Sequence, residues 1–318
     1  TSLFTGVLQR LGVAVPGETI DGDAHNPDGY FERADVVALQ ERLLIDLDRW
    51  WASPMGTQAL PVDWQSTSAA LEFRAALYEL LVNEKSRQSG LWAIKDPRSS
   101  RLLPVWIDVA NELNLRLRPV LVVRNPAEVV HSLVRRDGPT VGMNSGRAQQ
   151  LWWIHNLEVL HSCPSRSDLL IVDDSAWFRD SEQQVRRLES MIPGLCPSDE
   201  QRRSALSLIN PSFRHPADSS VRDGLAPCVK RLYRRLLRQP LPSRWPAARV
   251  VSSALPADTR LLPSSSQLLN QPGSWQDFML EFAQYPAPRI AQTDLRPCQS
   301  LLLSSCGKSW YQWSTHLW

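Results

Sequence analysis

Apolar residues recur every three or four positions in several long stretches, the spacing that places them on one side of a helix. Between these stretches stand short apolar runs without helical spacing, which are typical of buried strands. Strand and helix patterns that alternate along a chain favour an α/β fold with a short, mainly parallel sheet flanked by helices. The pattern predicts helices near 34–50, 68–83, 101–114, 126–136 and 146–161, and strands at 91–94, 119–123 and 169–172.

Two of the predicted strands end directly on a cation. Lys95 follows the run 91–94, and Arg124 follows the run 119–123. In doubly wound α/β enzymes the ligand-binding groups gather at the carboxyl ends of the strands. We therefore expect both cations to lie in a binding site.

The helix after Arg124 adds polar groups to this site. Asn125-Pro126 is typical of an N-cap followed by the first helical position, so a helix is expected from here to about Arg136. Ser132 and Arg136 lie eight and twelve residues after Arg124 and share one helical face. A guanidinium, a helix N-terminus and two further donors form a plausible receptor for a phosphate monoester.

The first residues are typical of the second half of a phosphate-binding loop and the helix that it opens. In such loops backbone N–H groups and a hydroxyl hold the phosphate, a role that Thr1 and Ser2 could fill. A Gly and a cation normally precede these residues, and the chain has no initiator Met. We therefore expect a three-layer, P-loop-type domain that lacks its upstream strand and the first half of its loop.

Taken in order, these motifs resemble those of the sulfotransferases that use 3′-phosphoadenosine-5′-phosphosulfate (PAPS), and more closely a bacterial branch related to tyrosylprotein sulfotransferases. That family has a Ser-Gly-Thr-Thr/Ser loop, a Lys-Asp-Pro motif at a strand end, and an Arg with a Ser eight residues later. The resemblance covers roughly residues 1–238. The residues that match are Thr1, Ser2, Lys95, Asp96, Pro97, Arg124, Ser132 and Arg136.

The resemblance implies an enzyme that moves a sulfuryl group from PAPS, without a metal, to a hydroxyl acceptor. Thr1 and Ser2 would contact the 5′-phosphosulfate. Arg124 and Ser132 would hold the 3′-phosphate, with Arg136 nearby. The acceptor would be a small molecule, a glycan, a lipid or a protein tyrosine.

In-line sulfuryl transfer requires a cation at the leaving oxygen and a base for the acceptor hydroxyl. Lys95 is the natural cation. In cytosolic animal sulfotransferases a His shortly after the equivalent Lys is the base, but Pro97 stands there in this chain. Glu32, in a Gly-Tyr-Phe-Glu element resembling one in related bacterial sequences, is the first choice, and Glu18 the second. The alternative is that Glu32 is simply an acidic residue near a helix N-terminus.

The residues around Lys95 also have plain structural interpretations. Asp96 either orients Lys95 or caps the next helix. Arg98 and Arg101 are either surface charges or functional residues, and the surface-charge interpretation is preferred.

Two other functions stay open. A P-loop kinase or NTPase would share the fold and the Thr1-Ser2 loop, and the run 169–173 imitates a strand that ends in a Mg²⁺-binding Asp. It would leave the Lys95 and Arg124 motifs without a role. A non-catalytic remnant that binds nucleotide weakly is the third possibility.

Composition narrows the class further. The chain has 318 residues, 43% of them hydrophobic, and a formal net charge of +2, which argues against bulk nucleic-acid binding. Five cysteines without a CxxC pair suit a reducing cytoplasm, and neither a membrane-length apolar run nor a signal peptide is visible. Residues 1–238 form the predicted nucleotide-binding domain and 239–318 a Pro/Ser-rich irregular tail. The oligomeric state is left open.

Overall fold

Helices make up most of the chain that the structure, a computed structural model, describes. The structure describes residues 2–22, 29–53, 55–163, 169–210 and 219–238. The helices are α1 (Ser2–Arg10), α2 (Ala34–Asp46), α3 (Ser68–Arg87), α4 (Ser99–Glu112), α5 (Pro126–Val141), α6 (Ser145–Ser162), α7 (Ser181–Met191), α8 (Asp199–Ser207), α9 (Ser219–Asp223) and α10 (Pro227–Leu237), and the strands are β1 (Val120–Val123) and β2 (Leu170–Asp173).

The two strands form a short parallel sheet. In its register Val120 pairs with Leu170 and Val123 pairs with Asp173. All of β1 and the first three residues of β2 are branched apolar residues, which suit a sheet that is buried on both faces. Because the strands are parallel and in step, Arg124 emerges beside the end of β2. The coarse α/β prediction is therefore confirmed.

Apolar side chains of the sheet alternate between two hydrophobic clusters. Leu121, Val123 and Ile171 pack into a cluster formed mainly by α2–α6 and α10. Val122 and Leu170 pack into a second cluster with α1, α7 and α8. This alternation follows from the two-residue period of a strand and leaves helices against both faces of the sheet.

The predicted strand at 91–94 is not a strand of this sheet. Trp92 makes a single parallel bridge with Ala14, and Lys95 makes another with Glu32. Each neighbouring segment offers a partner at one position only, so no ladder develops. The extended segment still delivers Lys95 to the place where the chain enters α2.

Helix α5 begins as its sequence predicts. The Asn125 side chain accepts a hydrogen bond from the Ala127 N–H at 3.0 Å, and Pro126 occupies the first helical position. The helix runs beyond Arg136 to Val141 and ends at Gly142, whose φ of 64° is the left-handed conformation typical of a helix C-terminus.

The structure does not test three of the predictions, namely those on Thr1, on the tail 239–318 and on location in the cytoplasm. Thr1 and the tail 239–318 lie outside the described ranges. Within them, no helix is long and apolar enough to cross a membrane. Location in the cytoplasm stays a prediction.

Candidate active site

Glu32 and Lys95, the two predicted catalytic residues, form a buried ion pair. Lys95 Nζ donates to Glu32 Oε1, and the two side chains are 6% and 1% exposed. The same Nζ donates to the Tyr30 carbonyl oxygen at 3.0 Å. The structure thus brings together a carboxylate and a cation that lie 63 positions apart in the chain.

An unusual backbone conformation precedes this ion pair. Phe31 has a φ of 57°, in the left-handed region that bulky side chains rarely adopt. The Phe31 ring packs against Gly6 of α1, where an added Cβ would lie 3.4 Å from the ring. The turn at Phe31 lets both the Tyr30 carbonyl and the Glu32 carboxylate reach Lys95. Strain of this kind is found at functional sites more often than elsewhere.

The start of α1 contacts the same point. Ser2 Oγ donates to the Tyr30 carbonyl oxygen at 3.5 Å, the oxygen that also accepts from Lys95. Two of the predicted site residues, Ser2 and Lys95, therefore contact the same carbonyl oxygen, and a third, Glu32, contacts Lys95. Thr1, the other predicted loop residue, lies outside the described ranges.

Arg98 is buried beside this pair, and its prediction as a surface charge is wrong. It is 4% exposed, and its Nη1 lies 3.3 Å from Glu32 Oε2. Its Nη2 lies 2.7 Å from Glu41 Oε1, and Nη1 lies 3.0 Å from Asp96 Oδ1. Asp96 also accepts from the Arg98 backbone N–H, so it orients Arg98 rather than Lys95.

Arg101 is also buried, at 2% exposed, so the same prediction is wrong for it. Its Nε donates to Glu158 of α6 at 2.7 Å, and its Nη1 donates to the Gly56 carbonyl at 2.8 Å. It thereby ties the loop before α3 to α4 and α6. Partners this distant in sequence leave no local signal.

Burial controls the ionisation of Glu32. Removal from water raises its pKa above the ordinary 4.5, and the Lys95 and Arg98 cations offset only part of this increase, while Asp96 adds to it. A carboxyl group with a raised pKa is a better proton acceptor than an exposed carboxylate.

Glu18, the second candidate for the base, is placed differently. Its side chain is exposed, and its carbonyl accepts the N–H of Ala34 at the start of α2. The observed geometry therefore supports Glu32 as the first choice.

The predicted phosphate receptor lies along α5. Arg124 is 38% exposed in its side chain, and its Nε lies 3.2 Å from Glu128 Oε2. Ser132 is exposed, while Arg136 lies 2.8 Å from its neighbour Asp137. Sequence reasoning missed Glu128, although its place four residues after Arg124 and four before Ser132 puts it on the same face. An incoming phosphate must compete with this carboxylate for Arg124.

The carboxyl ends of β1 and β2 carry an aromatic contact that the sequence did not indicate. Trp152 Nε1 of α6 donates to the Arg124 carbonyl at 3.1 Å, and its ring meets Tyr233 of α10 edge to face at 6.3 Å. Burial, together with the nearby Asp173 and Glu128, raises the pKa of Tyr233 to about 12. Helix α10 therefore packs near the carboxyl ends of β1 and β2.

Asp173, the candidate Mg²⁺ ligand of the kinase alternative, already has protein partners. It accepts from the Ser175 hydroxyl at 2.7 Å and lies 2.6 Å from Arg179 Nη2. Among the described residues no group of three His, Cys, Asp or Glu side chains could hold a metal ion.

No family model, curated protein or solved structure matches the chain. The case for a function therefore depends on the residues and their geometry.

Proposed function

We propose that the protein transfers a sulfuryl group from PAPS to a hydroxyl acceptor. The observation that carries the proposal is the contact between Lys95 and Glu32 at the Tyr30 carbonyl, to which Ser2 also donates. Transfer requires a cation, a base and an anion-binding helix start close to one another, because the donor, the acceptor and the departing oxygen react in line. The proximity of Ser2, Glu32 and Lys95 supports the assignment of these three roles to them.

In the proposed reaction the acceptor oxygen attacks sulfur while its proton passes to Glu32. The bond from sulfur to the bridging phosphate oxygen breaks, and the negative charge that develops there is stabilised by Lys95. Lys95 is held by Glu32 in the described structure, so it must turn from the carboxylate toward the donor. The same movement frees the Glu32 oxygen that takes the proton.

The packing of the sheet supports the three-layer arrangement that belongs to this proposal. Helices lie against both faces of β1 and β2, and Arg124 follows β1 directly. A ligand at the carboxyl ends of the strands would meet Arg124 and the N-terminus of α5 together.

The first test compares nucleotides by calorimetry. We expect adenosine 3′,5′-bisphosphate to bind at least about tenfold more tightly than ATP and without Mg²⁺, because ATP lacks the 3′-phosphate that Arg124 and Ser132 would hold. Adenosine 5′-monophosphate is the matched control for the missing 3′-phosphate. Equal affinity for ATP, or an absolute need for Mg²⁺, would favour a kinase or NTPase. Weak binding without turnover would favour a non-catalytic remnant.

The second test removes the Arg124 guanidinium. Arg124→Ala should weaken bisphosphate binding by about 2 kcal/mol, or about 30-fold in Kd, the lower end of the range for charge pairs because this side chain is partly exposed. Arg42→Ala on α2 is a matched control, since Arg42 also pairs with a carboxylate four residues later, Asp46. An unchanged Kd in Arg124→Ala, measured by the same calorimetry, would remove Arg124 from the site.

A further inference from the structure

Arg98 contacts two further carboxylates besides that of Glu32. Its Nε and Nη2 both donate to Glu41 Oε1, at 3.1 and 2.7 Å. Its Nη1 lies 3.0 Å and 3.2 Å from the two oxygens of Asp96. The guanidinium plane is therefore fixed by carboxylates from α2 and from its own loop, and one N–H remains directed at Glu32 Oε2, 3.3 Å away.

Lys95 is held in a different way. Its ammonium group lies at the end of a flexible four-carbon chain and contacts only Glu32 and the Tyr30 carbonyl among the contacts described. It can turn toward a donor by rotating about its own bonds, whereas Arg98 could move only by breaking its contacts with both Glu41 and Asp96. The two cations on Glu32 therefore differ in mobility, and only one of them is available to the leaving oxygen.

The charges around Glu32 make Arg98 important once Lys95 has moved to the donor. Glu32, Glu41 and Asp96 are three carboxylates, and Lys95 and Arg98 are two cations, so the buried group carries a formal charge of −1. When Lys95 turns to the donor, Glu32 keeps Asp96 as a like-charged neighbour, and Arg98 is its one remaining cationic contact among the described residues. Burial favours the protonated form of Glu32 in this state, and a protonated carboxyl group cannot act as a base.

We propose that Arg98 is the positioning residue that keeps the Glu32 carboxylate in place and unprotonated once Lys95 has moved to the donor. The proposal rests on the sulfotransferase function proposed above. Glu41 and Asp96 serve in it as the anchors of Arg98. Burial alone would lower the pKa of Arg98, but Asp96, Glu41 and Glu32 outweigh burial and raise it, so the guanidinium stays charged throughout.

The test follows the Glu32 carboxyl group itself by ¹³C NMR with labelled glutamate. Its resonance is assigned by its loss in Glu32→Gln, and its titration midpoint is measured with and without adenosine 3′,5′-bisphosphate. The variant is Arg98→Met combined with Glu41→Gln, which removes one cation and one carboxylate together and so leaves no new unpaired charge at Glu41. We expect the midpoint to be higher than in the unaltered protein by about one pH unit or more, and to rise further when the bisphosphate binds.

A matched control comes from the neighbouring residue. Arg33 Nη1 lies 2.7 Å from Glu84 Oε1, and this pair is also largely buried, but its described side-chain contacts do not include Glu32. Arg33→Met combined with Glu84→Gln therefore removes an equivalent pair close to Glu32. Its Glu32 midpoint should stay within a few tenths of a unit of the unaltered value.

Turnover gives a second readout that a purely structural role would not produce. In the Arg98 variant the acidic limb of the kcat profile should move to higher pH by the same amount as the Glu32 midpoint, while KM for PAPS changes little. In Arg98→Lys with Glu41 intact, the Glu32 titration midpoint should lie between that of the double variant and that of the unaltered protein.

The outcomes separate this proposal from the proposed function. If the bisphosphate binds but the Glu32 midpoint is the same in the Arg98 variant and the unaltered protein, Arg98 has no positioning role, although the sulfotransferase function can stand. If the bisphosphate does not bind, the proposed function fails and the donor-bound half of this proposal fails with it. The free-protein titration still decides, in that case, whether Arg98 keeps Glu32 ionised.

Discussion

Lys95→Met is expected to lower the turnover of PAPS by about 10²–10³-fold, the size of effect seen when one donor to a developing oxyanion is removed. The affinity for adenosine 3′,5′-bisphosphate should fall much less. A cation at the leaving oxygen acts mainly as negative charge develops there, so its loss affects the transition state more than the bound nucleotide. Single-turnover kinetics gives the first quantity and calorimetry the second.

Removal of Lys95 also affects stability, and the controls must separate this effect from catalysis. Loss of one partner from a buried ion pair costs about 3–5 kcal/mol in general, because the other charge stays buried. The double variant Lys95→Met/Glu32→Gln removes both partners and should unfold at a higher temperature than Lys95→Met. Lys85→Met is the surface control, since Lys85 Nζ also donates to a backbone carbonyl, that of Leu113. Turnover in Lys95→Met equal to that of Lys85→Met would remove Lys95 from the mechanism.

Local patterns predicted much of the helical structure. Apolar spacing placed helices over 68–83 and 146–161, and the structure has α3 and α6 there, each extended by one or a few residues. The Asn125-Pro126 pair predicted the start of α5 to the residue, because an N-cap and a first-turn proline are properties of the local chain. Features that depend on neighbours in sequence were therefore accessible.

Features that depend on partners distant in sequence could not be predicted from local patterns. The run 91–94 has a strand pattern, but whether it joins a sheet depends on what lies beside it, and Ala14 offers a bridge at one position only. Arg98 and Arg101 follow a loop and look like surface residues, yet each has a carboxylate partner 57 positions away in sequence. A single sequence carries no signal for such pairs.

The candidate site lies between these two cases. Glu32 and Lys95 were predicted from motifs that resemble those of the sulfotransferases, together with the need of the chemistry for a base and a cation, and the structure brings the two side chains into contact. Such a resemblance links residues that local patterns cannot link. It did not indicate Glu128, which the helical spacing alone could have identified as a carboxylate on the phosphate-binding face.

Glu32→Gln is expected to lower turnover by about a hundredfold or more, with the affinity for adenosine 3′,5′-bisphosphate nearly unchanged. Gln keeps the shape of the side chain and can still accept a hydrogen bond from Lys95, but it cannot take the acceptor proton. The unaltered protein should lose activity as the pH falls through the pKa of Glu32. Since burial raises that pKa above 4.5, the loss should begin at a higher pH than for an exposed glutamate. Initial rates with labelled donor across a pH series measure the loss of turnover in Glu32→Gln and the pH dependence of the unaltered protein.

Glu18→Gln decides between the two candidate bases. Glu18 is exposed and lies on the chain that enters the same region, so a loss of turnover in Glu18→Gln with full turnover in Glu32→Gln would transfer the role to Glu18. We expect the opposite result, because the exposed Glu18 side chain lacks the burial and the contact with Lys95 that distinguish Glu32. The residual activity of Glu32→Gln should also lose the acidic limb of the pH profile, since the group that titrates there is gone. An acidic limb that survives unchanged in Glu32→Gln would mean that another group accepts the proton.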